Sequence, residues 1–348
     1  MNSTAFVRHA AIACIAAAAV LHCTPGIAQQ QPKTTPSASA AWVPTKPIEF
    51  VVMAGKGGGA DKAVHFIAEA MAKEKLVPVT FDIVNKPGKS GGEAMAYLNS
   101  KKGDNHTIMF TLNSFYTTPL RQPELGVDIS DFTPIGRLAE DVFLLWVNSD
   151  RKDINTIDDF VKAAQSKGSQ WVMSGTGQGA EDSMLTDFLN ATYDLKMTYR
   201  ALKGGGAVAK ELVEKKADST VNNPSEQAKY YAEGLTKPIV VFTSKRLPAY
   251  QKIPALRETG MDFQYFMQRS VVGAPGMSKA AQAYYQQLFK KFFASAAWQG
   301  YREKNSLGGD FLTGDALRNY WMKEREKHAR WKMALEIMLL KGAAGGKR

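Results

Sequence analysis

The chain has 348 residues, of which 45% are hydrophobic and 22% are charged, and its 44 Lys and Arg outnumber its 33 Asp and Glu. This length suits one large domain or two ordinary ones. The formal net charge of +11 does not indicate a nucleic-acid partner, because the basic side chains are scattered among acidic ones, mostly on amphipathic helices. We expect a solvated basic surface, which also attracts anionic solutes modestly at cellular salt.

The N-terminus has the pattern of a secretory signal peptide. Arg8 precedes an uncharged apolar run over residues 10–21, which is too short to anchor a chain in a bilayer, and small residues lead up to Ala28. We therefore expect a signal peptide over residues 1–28 that is cleaved after Ala28, with export to the periplasm. Residues 29–41, rich in Gln, Pro, Thr and Ser, are predicted to form a flexible linker.

Both cysteines, Cys14 and Cys23, lie inside this predicted signal. The mature chain is therefore expected to have no disulfide, no thiolate nucleophile and no cysteine metal site. Lipidation at Cys23 is an alternative, although the bulky His22 directly before it argues against one. No later segment approaches the ~20 consecutive apolar residues of a membrane-spanning helix.

Strand-like and helical patterns alternate in the part of the chain that follows the linker. They predict strands over residues 48–53, 79–84 and 106–111 and helices over residues 61–75 and 93–99. In the first of these helices, Val64, Ile67 and Met71 recur at intervals of three and four and give it one buried face. Alternation of this kind indicates a parallel sheet with helices on both faces.

A second series begins after residue 148. It predicts helices over residues 157–165, 181–191 and 204–216, strands over residues 170–174, 237–243 and 263–272, and two long helices over residues 279–293 and 315–340. The two series predict two lobes, one formed by residues 42–147 and 244–340 and the other by residues 148–243, with the crossings acting as hinges. Residues 341–348 are predicted to be a disordered tail.

Three glycine-rich turns, over residues 55–59, 175–179 and 204–206, each lead into a predicted helix. Glycine lets the backbone approach a ligand closely. The first N–H groups of a helix lack internal partners and, together with the helix dipole, attract anions. Because loops at the carboxyl ends of strands hold ligands in open α/β sheets, the three turns together predict a shared anion-binding cleft.

Two nucleotide-binding motifs are present only in part. Residues 88–90 resemble the end of a P-loop, but Ile83 stands where that motif needs glycine. Residues 175–180 fit G-x-G-x-x-A, but the acid that the motif requires would be Asp194, which precedes a strand-like segment instead of ending one. We therefore predict no nucleotide cofactor.

Catalytic and metal-binding clusters are also missing from the sequence pattern. His65, His106 and His328 are isolated and lack the spacing of a zinc-binding helix, and no serine lies in G-x-S-x-G. We predict that the protein is not an enzyme and holds neither a metal nor another cofactor. A Ser/His/Asp set that only the fold assembles stays open.

Two side chains near the first glycine turn each have two interpretations. Asp61 either caps the helix that follows or orders water against a ligand, and the two roles are compatible. Lys56 either pairs with a ligand carboxylate or points to solvent.

Short motifs follow one another in a fixed order between Trp42 and Lys332. They are KPIEFVV at residues 46–52 with GGGAD at 57–61, NKPGKSG at 85–91, DFTPIG at 131–136, RLP with IPALRETG at 246–260, and VGAPG at 272–276. In this order they resemble the substrate-binding receptors of tripartite tricarboxylate transporters, also called Bug receptors. One departure stands at Lys56, in a segment where the family has an aromatic residue and prolines, which leaves the identity of the ligand open.

This resemblance implies an α/β fold of the periplasmic binding protein type II (Venus flytrap) class, with two doubly wound lobes and a ligand cleft between them. It implies capture of a small carboxylate for the membrane permease subunits of a tripartite tricarboxylate transporter, driven by an ion gradient and not by ATP. We expect a monomer without a nucleic-acid partner. A receptor that signals to a membrane sensor kinase and an exported enzyme on the same fold are the alternatives.

In this family, loops of both lobes grip one carboxylate, partly through ordered waters. The ligand-binding positions that the resemblance implies are Ala54, Lys56, Gly57, Gly58, Gly59 and Asp61 in the first lobe, and Ser174, Gly175, Thr176, Gly177, Gln178, Gly179, Lys203, Gly204, Gly205, Asp218, Asn222 and Asn223 in the second. Asn113 and Ser114, with Phe115 and Tyr116, follow the third strand and are expected to contribute to specificity.

Overall fold

The structure is a computed structural model that describes residues 42–345, with side chains through residue 334. The predicted signal peptide over residues 1–28 and linker over residues 29–41 lie outside the described residues. Within residues 42–345, no helix combines the length and the apolar character that crossing a membrane requires.

The chain builds most of one lobe, crosses to a second, and returns to the first. The first passage contains β1 (Ile48–Val52), α1 (Gly59–Lys73), β2 (Phe81–Asn85), α2 (Gly92–Ser100), β3 (Thr107–Thr111), α3 (Ser114–Arg121) and β4 (Thr133–Val142). The second lobe contains β5 (Leu144–Asn148), α4 (Ile157–Lys167), β6 (Val172–Thr176), α5 (Glu181–Tyr193), β7 (Thr198–Leu202), α6 (Gly205–Val213), β8 (Ser219–Asn222), α7 (Pro224–Ala232) and β9 (Thr236–Val241). The return contains β10 (Phe266–Gly273), α8 (Lys279–Phe293), α9 (Ala296–Lys304) and α10 (Gly314–Gly345).

Each lobe has a five-stranded sheet, with the strand orders β2-β1-β3-β10-β4 and β7-β6-β8-β5-β9. The predicted parallel pairing holds for β2-β1-β3 and for β7-β6-β8, but β10 pairs antiparallel with β3 and β4, and β5 pairs antiparallel with β8 and β9. The reason lies in the crossings. A strand that enters a sheet directly from the other lobe begins at the edge where the βα strands end, so it runs in the opposite direction.

The two crossings lie side by side. Phe242 N donates to Phe143 O at 2.9 Å, and Tyr265 N donates to Phe242 O at 3.0 Å. The predicted lobe boundary between residues 147 and 148 falls at the end of β5, whereas the chain leaves the first sheet one strand earlier, near Phe143. At the other end of the chain, α10 continues to Gly345, into the segment predicted as a disordered tail.

The core of the first lobe is built on aromatic side chains that cover its sheet. Phe50 on β1 is fully buried, and its ring centroid lies 5.5 Å from that of Phe81, 6.2 Å from that of Phe110 and 6.3 Å from that of Phe289. These neighbours come from both adjacent strands and from α8. The return passage is therefore part of the first lobe's core, and it holds the sheet that presents α1 and α3 to the cleft.

Replacing Phe50 with alanine should lower the free energy of unfolding by about 3–5 kcal/mol, because the substitution leaves a cavity among three other rings. Urea unfolding followed by tryptophan fluorescence measures this change. Val43→Ala is the control, since Val43 is 50% exposed and its truncation should change the midpoint little. A loss at Phe50 no larger than that at Val43 would contradict this description of the core.

Candidate functional site

A cleft of about 380 Å³ lies between the lobes, at the edge where the βα strands end. Turns and helix N-termini from both lobes form its walls. The first lobe contributes Met53, Ala54, Gly58, Gly59, Ala60, residues 87–91, Leu112, Ser114, Met267 and Arg269. The second lobe contributes Thr176, Gly177, Gln178, Ala180, Glu181, Asp182, residues 201–205, Asn223 and Glu226.

Asp61 holds the first glycine turn in shape from inside α1. Its carboxylate accepts hydrogen bonds from Gly57 N at 2.8 Å and from Asn85 Nδ2 at 2.8 Å, and the same amide donates to Ala54 O at 3.0 Å. The N-cap residue of α1 is Gly58, so Asp61 does not cap the helix in the predicted manner. Its role in the structure is to fold the turn back onto the end of β2.

Asp182 has the corresponding role in the second lobe. Its Oδ2 accepts from Thr176 N at 2.7 Å and from Thr176 Oγ1 at 3.1 Å. Asp182 lies in the first turn of α5, where the helix dipole favours a negative charge. The glycine turn between β6 and α5 is therefore closed by a carboxylate that is only 3% exposed.

The third glycine turn packs directly against the first, across the cleft. A Cβ atom on Gly55 would lie 2.0 Å from Lys203 O, and one on Gly206 would lie 2.9 Å from Gly57 O. Side chains at these positions would therefore separate the lobes. Glycine at both positions is explained by this close approach of two backbones.

Helix N-termini of the first lobe are met by carboxylates of the second lobe. Gly59 N, at the start of α1, donates to Glu226 Oε1 at 3.0 Å. Ser114 N, at the start of α3, donates to Glu181 Oε1 at 2.6 Å. These N–H groups have no partner inside their own helices. One of the donors that the sequence assigns to a ligand anion, Gly59 N, is thus held in this structure by an acid of the chain itself.

Burial and mutual repulsion act on these acids. Burial raises the pKa of Glu181, and it raises the pKa of Asp182 well above its usual range, with the charges of Glu226 and Glu181 raising it further. The charges of Arg121 and Arg269 oppose the rise in the pKa of Glu181 without overcoming it, so the cleft disfavours the ionised form of both groups.

The buried cation at the cleft is Arg269 on β10, which is 2% exposed. Its Nε donates to Asp141 Oδ2 at 3.1 Å, and its Nη2 donates to the same oxygen and to Asn223 Oδ1, the latter at 3.2 Å. Asn223 Nδ2 in turn donates to Val142 O at 2.6 Å. Arg269 thus connects the returning strand, the end of β4 and the start of α7, next to the hinge.

About half of the predicted positions line the cleft. They are Ala54, Gly58, Gly59, Ser114, Thr176, Gly177, Gln178, Lys203, Gly204, Gly205 and Asn223. Gly57, Asp61, Gly175 and Gly179 belong to the turns but do not line the cleft. Lys56 is exposed and also lies outside the lining, which agrees with the interpretation that it points to solvent.

Four predicted positions lie behind or away from the cleft. Asn113 bonds β10 through Phe266 O and Gln268 N, Ser174 donates to Glu211, and Asn222 donates to Gly205 O and Glu226. Asp218 precedes β8, at the edge of the sheet opposite the cleft, where it pairs with Lys167 at 2.5 Å and accepts from Val172 N at 2.8 Å. These contacts give Asp218 a structural role.

The sequence analysis missed Glu181, Asp182, Glu226 and Arg269. Two acids directly after a glycine turn are a signal for a helix N-terminus. Asn223 followed three residues later by Glu226 is a capping-box pattern, and Asn223 N does donate to Glu226 Oε2 at 3.1 Å. Neither signal shows that the acids reach across to another lobe.

Comparisons with known proteins agree with this architecture. A family model described as "Tripartite tricarboxylate transporter family receptor" matches residues 64–305. A UPF0065 protein of Bordetella bronchiseptica is 21% identical over 227 residues, which cover 65% of this chain and 66% of that protein. The matched region thus spans about two thirds of that relative's length.

Two solved structures share the fold. The periplasmic binding protein BugD has a TM-score of 0.78 at 19% identity, with 84% of this chain and 98% of that chain covered. MatC from Rhodopseudomonas palustris, solved with bound malate, has a TM-score of 0.75 at 20% identity, with 84% of this chain and 99% of that chain covered. The expected two-lobed periplasmic-binding-protein fold is confirmed by these matches.

Replacing Gly55 with alanine should hold the lobes apart, because the added Cβ would meet Lys203 O. We expect small-angle X-ray scattering to give a larger radius of gyration for this variant than for the unsubstituted protein. Gly300→Ala is the matched control, since a Cβ on Gly300 in α9 meets no atom within 4 Å. Identical scattering from the two variants would count against the contact between the turns.

Proposed function

Because the chain belongs to the tripartite tricarboxylate transporter receptor family, we propose that it is a periplasmic receptor that binds a small carboxylate in the cleft between its lobes. In this proposal it delivers the solute to the membrane permease subunits of such a transporter. The observation that carries the proposal is the cleft itself, which three glycine turns and helix N-termini from opposite lobes enclose. The malate bound to MatC supports a carboxylate as the ligand class.

Opening of the lobes at the hinge gives the ligand a route into the cleft. Because the lobes are connected through adjacent crossings near Phe143 and Phe242, they can separate without disturbing either sheet. Several hydrogen bonds across the cleft then open together, among them Gly59 N to Glu226 and Ser90 Oγ to Gln178 O at 3.0 Å. Ligand binding would shift the balance between open and closed forms by its greater affinity for the closed one.

We assign the carboxylate to the wall formed by α1 and Arg269. The two N–H groups on Nη1 of Arg269 make no hydrogen bond to any residue of the described part. A carboxylate next to them would be stabilised by the guanidinium and by the positive end of the α1 helix dipole. Lys89 and Lys203, both exposed at the rim, would attract it during encounter.

Calorimetric titration of the purified protein with mono-, di- and tricarboxylates tests the proposal. We expect at least one acid to bind and to raise the melting temperature in proportion to its concentration, because only the native state binds; a ligand at 100 times its Kd stabilises by about 2.7 kcal/mol. Gln178→Trp should weaken binding at least tenfold, since Gln178 is exposed yet lines the cleft. A large ring there fills the cleft without entering a core.

Asp218→Asn is the matched control for this titration. Asp218 is one of the positions implied by the resemblance, but it lies at the opposite edge of the sheet. We expect its replacement to leave affinity unchanged. The proposal would be abandoned if no carboxylate bound, or if Gln178→Trp bound every acid as well as the unsubstituted protein.

A further inference from the structure

The cleft holds more negative than positive charge among its buried groups. Glu181 and Asp182 line it at 2% and 3% exposure, and the half-buried Glu226 lies beside them. The charge of Arg269 is matched by Asp141, to which it donates from two nitrogens. The lysines that line the cleft, Lys89 and Lys203, are both exposed. A solute carrying only carboxylates would therefore meet repulsion from whichever of these acids is ionised.

The helix donors that would offset this repulsion are already used. Glu226 accepts from Gly59 N, and Glu181 accepts from Ser114 N. A second carboxylate on the ligand would have to displace one of these side chains and leave its Oε1 without a donor. Since an unpaired buried carboxylate is costly, the exchange gives no net gain.

Hydrogen bonds inside the protein occupy the carboxylate oxygens of some of these acids but not of all. Glu226 is fully engaged, because its two oxygens accept from Gly59 N, Asn222 Nδ2 and Asn223 N. Asp182 is different. Its Oδ2 closes the turn at Thr176, but its Oδ1 accepts no hydrogen bond from any residue of the described part, although the side chain is 3% exposed. Oε2 of Glu181 likewise accepts none from another described residue.

Two buried carboxylates line one cleft, and Oδ1 of Asp182 has no donor among the described residues, so the pair calls for a donor with a positive charge. An ammonium group carries three N–H donors and no acceptor, so it can bond both carboxylates at once. Among residues 42–334, no lysine or arginine donates to either carboxylate. The positively charged donor must therefore come from the ligand.

We propose that the solute of this receptor carries a protonated amine, which binds between Glu181 and Asp182 while its carboxylate lies against Arg269 and the start of α1. This inference rests on the proposed function and narrows it from carboxylates in general to amino-carboxylates. The two ends of such a ligand match the two walls of the cleft in charge. Specificity then comes from the acidic wall, which an all-carboxylate competitor does not satisfy.

Two series of equal spacing test the proposal by calorimetric titration of the full protein. In the first, glutarate, 4-aminobutanoate and 1,3-diaminopropane carry two, one and no carboxylates at the ends of the same three-carbon chain. In the second, adipate, 5-aminopentanoate and 1,4-diaminobutane do the same on a four-carbon chain. We expect the amino acid of at least one series to bind at least tenfold more tightly than both its partners.

Asp182→Asn should reduce that preference for the amino acid over the dicarboxylate at least tenfold. The amide keeps an acceptor for Thr176 but removes the charge. Because this carboxylate is desolvated, its replacement should leave the melting temperature of the free protein unchanged or raise it, so a loss of binding is not a loss of folding. Asp158→Asn, which removes the same charge from the exposed surface of α4, should preserve the preference.

The outcomes separate the two proposals. If glutarate or adipate binds as tightly as its amino acid, the ammonium site is overturned while the carboxylate receptor stands. If a diamine binds as tightly as its amino acid, the ammonium site stands and the carboxylate receptor fails. If none of the six compounds binds, both are overturned. An Asp182→Asn protein that retains the full preference would also overturn the ammonium site.

Discussion

The hydrogen bond from Gly59 N to Glu226 Oε1 is the contact on which the arrangement of the cleft depends. It joins the first N–H group of α1 in one lobe to the start of α7 in the other, at 3.0 Å. The same carboxylate accepts from Asn222 and Asn223, so its position is fixed by its own lobe. When the lobes close, the first N–H group of α1 therefore gains a hydrogen-bond acceptor. When they open, the same group is exposed to water again.

The charges around this contact explain why the cleft has two unlike walls. The Arg269–Asp141 pair sits beside the hinge and leaves one guanidinium nitrogen without a partner among the described residues, while Glu181 and Asp182 face the same cavity with their carboxylates. Close packing of glycine turns brings these walls within reach of one small molecule. In the proposed complex, the first lobe binds the carboxylate of the ligand and thereby contributes affinity. The second lobe binds the amine and thereby contributes selectivity.

Local pattern was enough for much of the fold. Periodicity located α1, α5 and α8 within a few residues, and the order of short motifs indicated a family that the comparisons confirm. Neither periodicity nor motif order indicated that β5 and β10 run antiparallel to their neighbours, because strand direction depends on where a chain enters a sheet. Asp218 was placed in the site by resemblance, yet it lies at the opposite edge of its sheet.

The sequence by itself determined the βα units, the three glycine turns and the helix N-termini that they expose, since each follows from residues adjacent in the chain. Only the tertiary structure decided what meets those N-termini. Gly59 and Glu226 are 167 positions apart, and Ser114 and Glu181 are 67 apart. No local rule links such pairs, because their contact arises from the packing of two lobes. That packing turned an anion-binding pattern into a cleft with an acidic wall.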